Sequence, residues 1–438
     1  MPRFDVVVIG AGLAGMTTAA ELAERGARVH LTAKGMAASH WAHGGFDVAA
    51  PPGASSALAG VARLRRRPGH PYQLVAADLD AAMSAQLDRL AEMGLPYHGD
   101  LSSPLRSLPT PVGGLRPAAL VPEGQAAGLA PWGADEGLLL LGIDRYRDFW
   151  PHYAARNLRR QDWRDGPTEI RSASAELPGL ATLRSLNTLV VARLFDEPSW
   201  RDRALSVLRQ HVPAGGRWRI GLPAVLGLER HSEVMLSATN ALGHPVFEIP
   251  TLPPSVPGMR LFEALRTRVL LKGATMQIGF EVVRVGRERD RVTTVETDAT
   301  VRTLVARAGE VVLATGGIAG GGLRASRSGI LEERVIGLPV EAPARDSWFD
   351  GDLYGTGGIS LEAAGVRVDD ALRPISPEGD VLFQNVRVVG SALAGMRYLS
   401  ERCGDGIAIA SAARAARLAA SAQQTPPVPR QAPGAIAS

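Results

Sequence analysis

Residues 4–15, Phe-Asp-Val-Val-Val-Ile-Gly-Ala-Gly-Leu-Ala-Gly, constrain this chain more than any other stretch. A β-branched run leads straight into Gly10-x-Gly12-x-x-Gly15, and the Ala/Glu/Leu-rich segment Met16–Arg25 then reads as a helix. Strand, glycine turn and helix in that order make the phosphate cradle of a nucleotide-binding α/β unit. Gly10 permits the tight turn, Gly12 lets backbone approach a phosphate, and Gly15 lets the helix lie close on the strand. With Ala11 and Leu13 between them, these glycines face an anion with free N–H groups at the positive end of the helix.

The second strand lacks something. Arg28–Thr32 reads as that strand, and an adenine dinucleotide calls for Asp or Glu at its end, about 20 residues past the glycines, to bind the adenosine ribose. Ala33 stands there, between Thr32 and Lys34. Either a dinucleotide binds without that contact, or the ligand is a mononucleotide such as FMN. Lys34 then suits a terminal phosphate, a solvated strand-end lysine being the plainer alternative.

Composition narrows the class. A length of 438 residues suffices for two or three domains, and a formal charge of +4 does not argue for a nucleic-acid partner. Only Lys34 and Lys272 are lysines; the other basic residues are arginines. Cys403, the single cysteine, cannot by itself close a disulfide, hold zinc or ligate an iron–sulfur cluster, so no metal site is expected. It reads as a small buried residue in a reducing, cytoplasmic setting. Asp5 and the glycines interrupt the apolar N-terminus, and no apolar run approaches the ~18 residues of a membrane helix.

Pattern divides the chain into a nucleotide-binding part over 1–136, an inserted α/β cap over 137–250, and a resumed first domain over 251–419. Residues 420–438, Ala/Gln/Pro-rich and aperiodic, read as a disordered tail. Asp78–Met93 has apolar residues at helical spacing, and 101–135 is a Pro/Gly-rich excursion. In the cap, strands are expected at Leu138–Ile143, Thr168–Leu177, Trp218–Ile220 and Val246–Ile249, with helices at Tyr146–Arg160 and Pro198–His211. This βαβ alternation predicts a parallel sheet. A helix over Met259–Leu271 follows, then strands Thr275–Gly286 and Arg291–Asp298 as a hairpin, Glu310–Thr315, and Val386–Val389.

Three further loops fit a flavin. Val-Val-Leu-Ala-Thr-Gly-Gly (311–317) ends a buried strand in small residues, so Thr315 and Gly316 would clear a cofactor. A strand ending at Gly390-Ser391 precedes Gly404-Asp405-Gly406, which opens the helix Ile407–Ala419; Asp405 would accept from a ribityl hydroxyl or serve simply as a helix N-cap. Ser39-His-Trp-Ala-His-Gly-Gly-Phe-Asp47 follows the second strand, where Ser39, Gly44 and Gly45 would bring backbone N–H groups to a flavin ring and His40 or His43 would relay protons. The segment 250–261, dense in proline, reads as a stiff hinge before a helix, with Arg260 turned either into the hinge or towards an anion; Arg345 and Trp348 are further candidates for a place near the site, which periodicity does not decide. No residue is singled out as catalytic.

Taken together, Arg3–Gly15, His40 with Gly44 and Asp47, Leu252-Pro-Pro-Ser-Val-Pro-Gly-Met-Arg-Leu261, Ala192–Asp196, Gly322-Leu, Gly390-Ser and Cys403-Gly-x-Gly resemble the B subunits of anaerobic glycerol-3-phosphate dehydrogenases. The resemblance spans nearly the whole chain, and its proline segment is the most specific part. It implies a Rossmann-like flavin-binding domain with an inserted βαβ cap domain, and an FMN cofactor, with FAD as the alternative. It also implies two partners, the FAD-containing catalytic A protein and the iron–sulfur C protein of the same complex, with electrons reaching the quinone pool. Membrane contact would then be indirect, with the chain cytoplasmic or peripheral through a partner. Asp405 departs from the resemblance where relatives carry a second glycine. A stand-alone FAD-dependent oxidoreductase of a small polyol phosphate or hydroxy acid, and a flavin-free assembly protein, stand beside that reading.

Overall fold

The computed structural model describes residues 1–299, 302–352 and 358–424. The chain runs β1 (Arg3–Ile9), α1 (Leu13–Glu24), β2 (Val29–Ala33) and α2 (Leu79–Glu92). It then forms β3 (Glu136–Ile143), α3 (Pro151–Leu158), β4 (Ile170–Ala175), α4 (Thr188–Asp196), α5 (Pro198–Arg209), β5 (Arg217–Pro223), α6 (His231–Leu242) and β6 (Val246–Ile249). After the insertion come α7 (Val256–Leu271), β7 (Thr275–Ile278), β8 (Glu281–Glu288), β9 (Arg291–Ala299), β10 (Arg302–Leu313), β11 (Val386–Val388) and α8 (Gly404–Gln424).

β1 is uninterrupted and apolar because it lies inside a sheet. Val8 pairs in parallel with Leu31 of β2 on one side and Val312 of β10 on the other, and Val6, Val7 and Val8 are fully buried. The strand order is β7-β2-β1-β10-β9-β8, with β11 also on β10. β10 serves two neighbourhoods. Its first half pairs antiparallel with β9, and its second half runs parallel to β1 and β11.

The single strand expected over Thr275–Gly286 is two strands. β7 extends the parallel sheet beside β2, the chain turns at Gly279 (φ +93°), and β8 leaves to pair with β9. The N–H groups of Gly279 and Phe280 both donate to the Ala33 carbonyl, at 2.9 and 3.0 Å, which pins this turn to the end of β2.

Helix boundaries differ from the expected ones for local reasons. α1 starts at Leu13, earlier than Met16, because Gly12 is its N-cap in an extended conformation. α3 starts at Pro151 and not at Tyr146: the residue before a proline avoids the helical region, and Trp150 is extended. The last turn of the proline segment belongs to α7, with Pro257 in its first turn and Ser255 Oγ accepting from the Gly258 N–H. α8 continues through Gln424, so the first residues assigned to a tail are helical; 425–438 lie outside the described residues.

The insertion builds an all-parallel sheet in the order β6-β5-β3-β4 around its own core, from Ala130 to Ile249. One buried ion pair ties it to α7. Arg260 Nη1 donates to Glu248 Oε2 at 2.6 Å and Arg260 Nε to the Gly227 carbonyl at 2.9 Å, both side chains being buried. Arg260 therefore fastens the hinge, leaving no donor fork turned to a substrate anion.

Removing one partner leaves the other charge buried and unpaired, which costs about 3–5 kcal/mol. Arg260→Ala is expected to lower the urea-unfolding free energy by about that amount, and Glu248→Leu/Arg260→Met to recover much of it. A loss below about 1 kcal/mol in the single variant would contradict this account.

Candidate functional site

A cavity of about 650 Å³ opens at the carboxyl ends of β1, β2 and β10, against the start of α8. Position follows from topology, since ligands of open parallel sheets sit outside the strand carboxyl ends. Gly10, Ala11, Gly12, Leu13, Thr315, Gly316 and Gly390 line it, together with Lys34, Ser39 and Asp405. Gly15, Gly44, Gly45 and Gly406 do not line it.

The turn after β1 is compact because backbone packs on backbone. At Gly10 (φ +118°) a Cβ would come within 2.2 Å of the Ala314 carbonyl oxygen, and at Gly15 one would come within 2.0 Å of the Gly10 oxygen. Gly15 thus underlies the turn and does not face the ligand. Nothing approaches the Cβ position of Gly12 more closely than Ala37 Cβ, at 3.6 Å, so the space in front of it is left to the cavity. α1 has no side-chain cap and no acidic residue in its first turn, which leaves its positive end to an anion.

The loop after β2 is clamped by α7. Ser255 Oγ donates to the Ala42 carbonyl at 2.5 Å, and a Cβ on Gly258 would meet the carbonyls of His40 and Ala42 within 2.7 Å. Gly44 packs on Pro257, and the Gly45 N–H donates to His43 Nδ1 at 2.9 Å. These glycines serve loop packing; the N–H of Gly45 is not turned to a flavin ring. His40 is buried edge-on to Phe262, while His43 reaches the cavity.

Two carboxyl groups meet at the start of α8. The Asp47 N–H donates to Asp405 Oδ2 at 2.8 Å, and the Asp405 N–H returns to the Asp47 carbonyl at 3.0 Å. Burial and the neighbouring Asp47 charge push Asp405 up to about 7. Burial acts the same way on Asp47, but the hydrogen bond from His43 and the charges of Arg116, His43 and Arg402 outweigh it and hold Asp47 at about 2. Burial lowers His43 from its ordinary value, against the hydrogen bond and charge of Asp47. Arg116 Nη2 donates to Asp47 Oδ1 at 2.5 Å. The pair is split into one permanent anion and one acid able to hold a proton at neutral pH. Gly406 packs against Tyr72 and Val48 behind this pair.

The residues fit a flavin on three observations. Ser39 and Thr315 line the cavity, and among the described residues their hydroxyl oxygens are buried without a hydrogen-bond partner. The glycine turn leaves the backbone bare at a helix start. Asp405 offers a carboxyl group on the same cavity.

Other expected neighbours lie elsewhere. Arg345 donates to the Ser328 carbonyl at 2.6 Å, and Trp348 packs with Leu323, Leu361 and Ala364. Cys403 is buried against Glu401, which also binds Arg67 and lies 3.3 Å from His70 Nε2. Burial and the Glu401 charge push the Cys403 thiol well up, so it is poorly nucleophilic. Arg116, Glu281, Arg334, Glu362 and Tyr398 were not singled out in the sequence; Arg116 reaches Asp47, and the other four line the cavity.

A family model described as "FAD binding domain" matches residues 5–407. A relative from Halobacterium salinarum, named as a probable B subunit of anaerobic glycerol-3-phosphate dehydrogenase, is 31% identical over 428 residues, covering 95% of this chain and 98% of the relative. Another from Pectobacterium atrosepticum, named as the B subunit of the same dehydrogenase, is 32% identical over 423 residues, covering 94% of this chain and 97% of the relative. Among solved structures, the open conformation of a flavocytochrome c3 fumarate reductase aligns at TM-score 0.44 and 10% identity, over 97% of this chain and 79% of that one.

The carboxyl pair sets a pH dependence of stability. Unfolded Asp releases its proton near 4, whereas folded Asp405 keeps it to about 7, so stability falls as pH rises through that window. Asp47 acts oppositely: its contribution is present above about 4 and is lost as pH falls towards 2. Relative to Asp405→Asn, the wild-type chain is expected to lose on the order of 1 kcal/mol per pH unit between about pH 4 and 7 in urea unfolding. Parallel pH profiles for the two proteins would refute the assignment.

Proposed function

This chain belongs to the FAD-binding-domain family and to the B subunits of anaerobic glycerol-3-phosphate dehydrogenase, and on that premise we propose that it is an FMN-carrying, flavin-dependent electron-transfer subunit. The complex in this reading oxidises sn-glycerol 3-phosphate to dihydroxyacetone phosphate. Electrons arrive from FAD in the catalytic A protein and leave through the iron–sulfur C protein to the quinone pool. Among the described residues no helix is long and apolar enough to cross a membrane, and the proposed membrane contact is through a partner.

When bound, a flavin supplies the step from two-electron to one-electron transfer. Gly10–Leu13 and the positive end of α1 bind its phosphate, and the hydroxyls of Ser39 and Thr315 orient it. Asp405 holds a proton on its carboxyl group at the start of α8, with Asp47 as the fixed anion behind it. The carrying observation is that one cavity gathers the glycine turn, both orphaned hydroxyls and Asp405, while β2 ends in Ala33 with no carboxylate of its own.

One observation favours a second reading, a stand-alone FAD-dependent oxidoreductase of a small polyol phosphate. The cavity continues to Phe280, Glu281 and Val282, alongside the end of β2, where an adenosine would have room. Acid extraction of the purified chain followed by mass spectrometry decides between them. FMN at about one per chain is expected; FAD without FMN overturns the proposal in favour of the second reading. Failure to bind any flavin on reconstitution overturns both and points to a flavin-free assembly role.

A further inference from the structure

The end of β2 has no carboxylate in sequence, yet one stands there in space. The turn pinned on Ala33 brings Glu281, the first residue of β8, beside Lys34. Lys34 Nζ lies 3.0 Å from the Glu281 carboxylate, and Arg334 Nη2 donates to Glu281 Oε1 at 2.8 Å. Arg334 is held by its own backbone, whose N–H donates to the Gly322 carbonyl at 3.1 Å in the glycine-rich loop after Thr315. All three side chains line the same cavity as Gly10–Leu13.

Lys34, Arg334 and Glu281 balance as two cations to one anion, Asp47, Glu362 and Asp405 are further carboxyl groups of the same cavity, and the positive end of α1 adds to the two cations. A phosphate monoester carries close to two negative charges at neutral pH, more than either phosphate of a diester-linked diphosphate. The Glu281 ion pairs are partly open, with side-chain exposures of 61% for Lys34, 40% for Glu281 and 33% for Arg334, so exchanging them for another anion costs little. Charge-assisted bonds to phosphate oxygens are the stronger alternative, particularly for the guanidinium fork.

We propose that Lys34 and Arg334 join the Gly10–Leu13 turn in receiving the single phosphate monoester of the bound flavin mononucleotide, and that Glu281 is an internal counter-ion which this phosphate displaces. Glu281 keeps the two cations at the cavity wall before the ligand enters, and moves aside or turns outward afterwards. The assignment rests on the FMN reading of the cavity, and it makes these residues determinants of which flavin is retained.

The test uses the full-length chain freed of cofactor and titrated with FMN, riboflavin and FAD, following the quenching of flavin fluorescence. Lys34→Ala/Arg334→Ala is expected to weaken FMN about tenfold or more while leaving riboflavin within about twofold, since riboflavin has no phosphate. Glu281→Gln is expected to tighten FMN several-fold and leave riboflavin unchanged. Added salt should erode the FMN effect in the wild-type chain. FMN and riboflavin shifting in parallel, or FMN unmoved by the double substitution, overturns the receptor. A selective loss of FAD in Glu281→Gln overturns the counter-ion and makes Glu281 a ribose acceptor. Wild-type chain that binds FAD and not FMN fails the cofactor reading itself, a result separate from these.

Discussion

The approach of the Gly10 turn to the end of β10 is the contact on which the site depends. Ala314 presents its carbonyl where any side chain on residue 10 would stand, and Gly15 repeats the arrangement one layer down. Backbone meeting backbone at this distance draws β1, α1 and β10 into one corner. The corner sets the floor of the cavity, and Thr315, next after Ala314, is thereby placed opposite the start of α1. Every other part of the site is hung from this corner by longer connections.

Two clamps do the hanging. The first turn of α7 holds the loop after β2 through Ser255 and Gly258, so the proline segment that reads as a hinge also shapes the cavity wall. Arg260, one helical turn on from Pro257, grips Glu248 and the Gly227 carbonyl of the insertion. One short helix start thus joins the second sheet, the loop and the glycine corner. The dense prolines restrict the unfolded chain and fix the approach to that start, which stiffens the junction.

Local sequence is informative where a motif and its contacts lie within a few residues. The β1–turn–α1 unit is of this kind, as is Thr315-Gly316, where a buried strand runs directly into small residues that line the cavity. It fails where partners are distant. The Glu281 carboxylate beside Lys34 is separated from it by 247 positions, and Arg116 reaches Asp47 across 69. Neither residue has a local pattern that distinguishes it from an ordinary exposed charge. Gly44 and Gly45 mislead for the opposite reason: the loop does need glycine, but for contact with Pro257 and His43. Gly279 shows the same limit in the strands, since a turn inside an apolar run is visible only once β2 supplies the Ala33 carbonyl that holds it.

The near absence of lysine has a practical side. In a chain whose cations are almost all arginine, Lys34 carries one of only two ε-amino groups, and it stands on the cavity wall; the other, Lys272, ends α7. Guanidinium groups do not react with acylating reagents under conditions that modify amines. The cavity therefore comes with a nearly unique chemical handle already installed. Whatever enters it and engages that amine will be written into the modification pattern of a single residue.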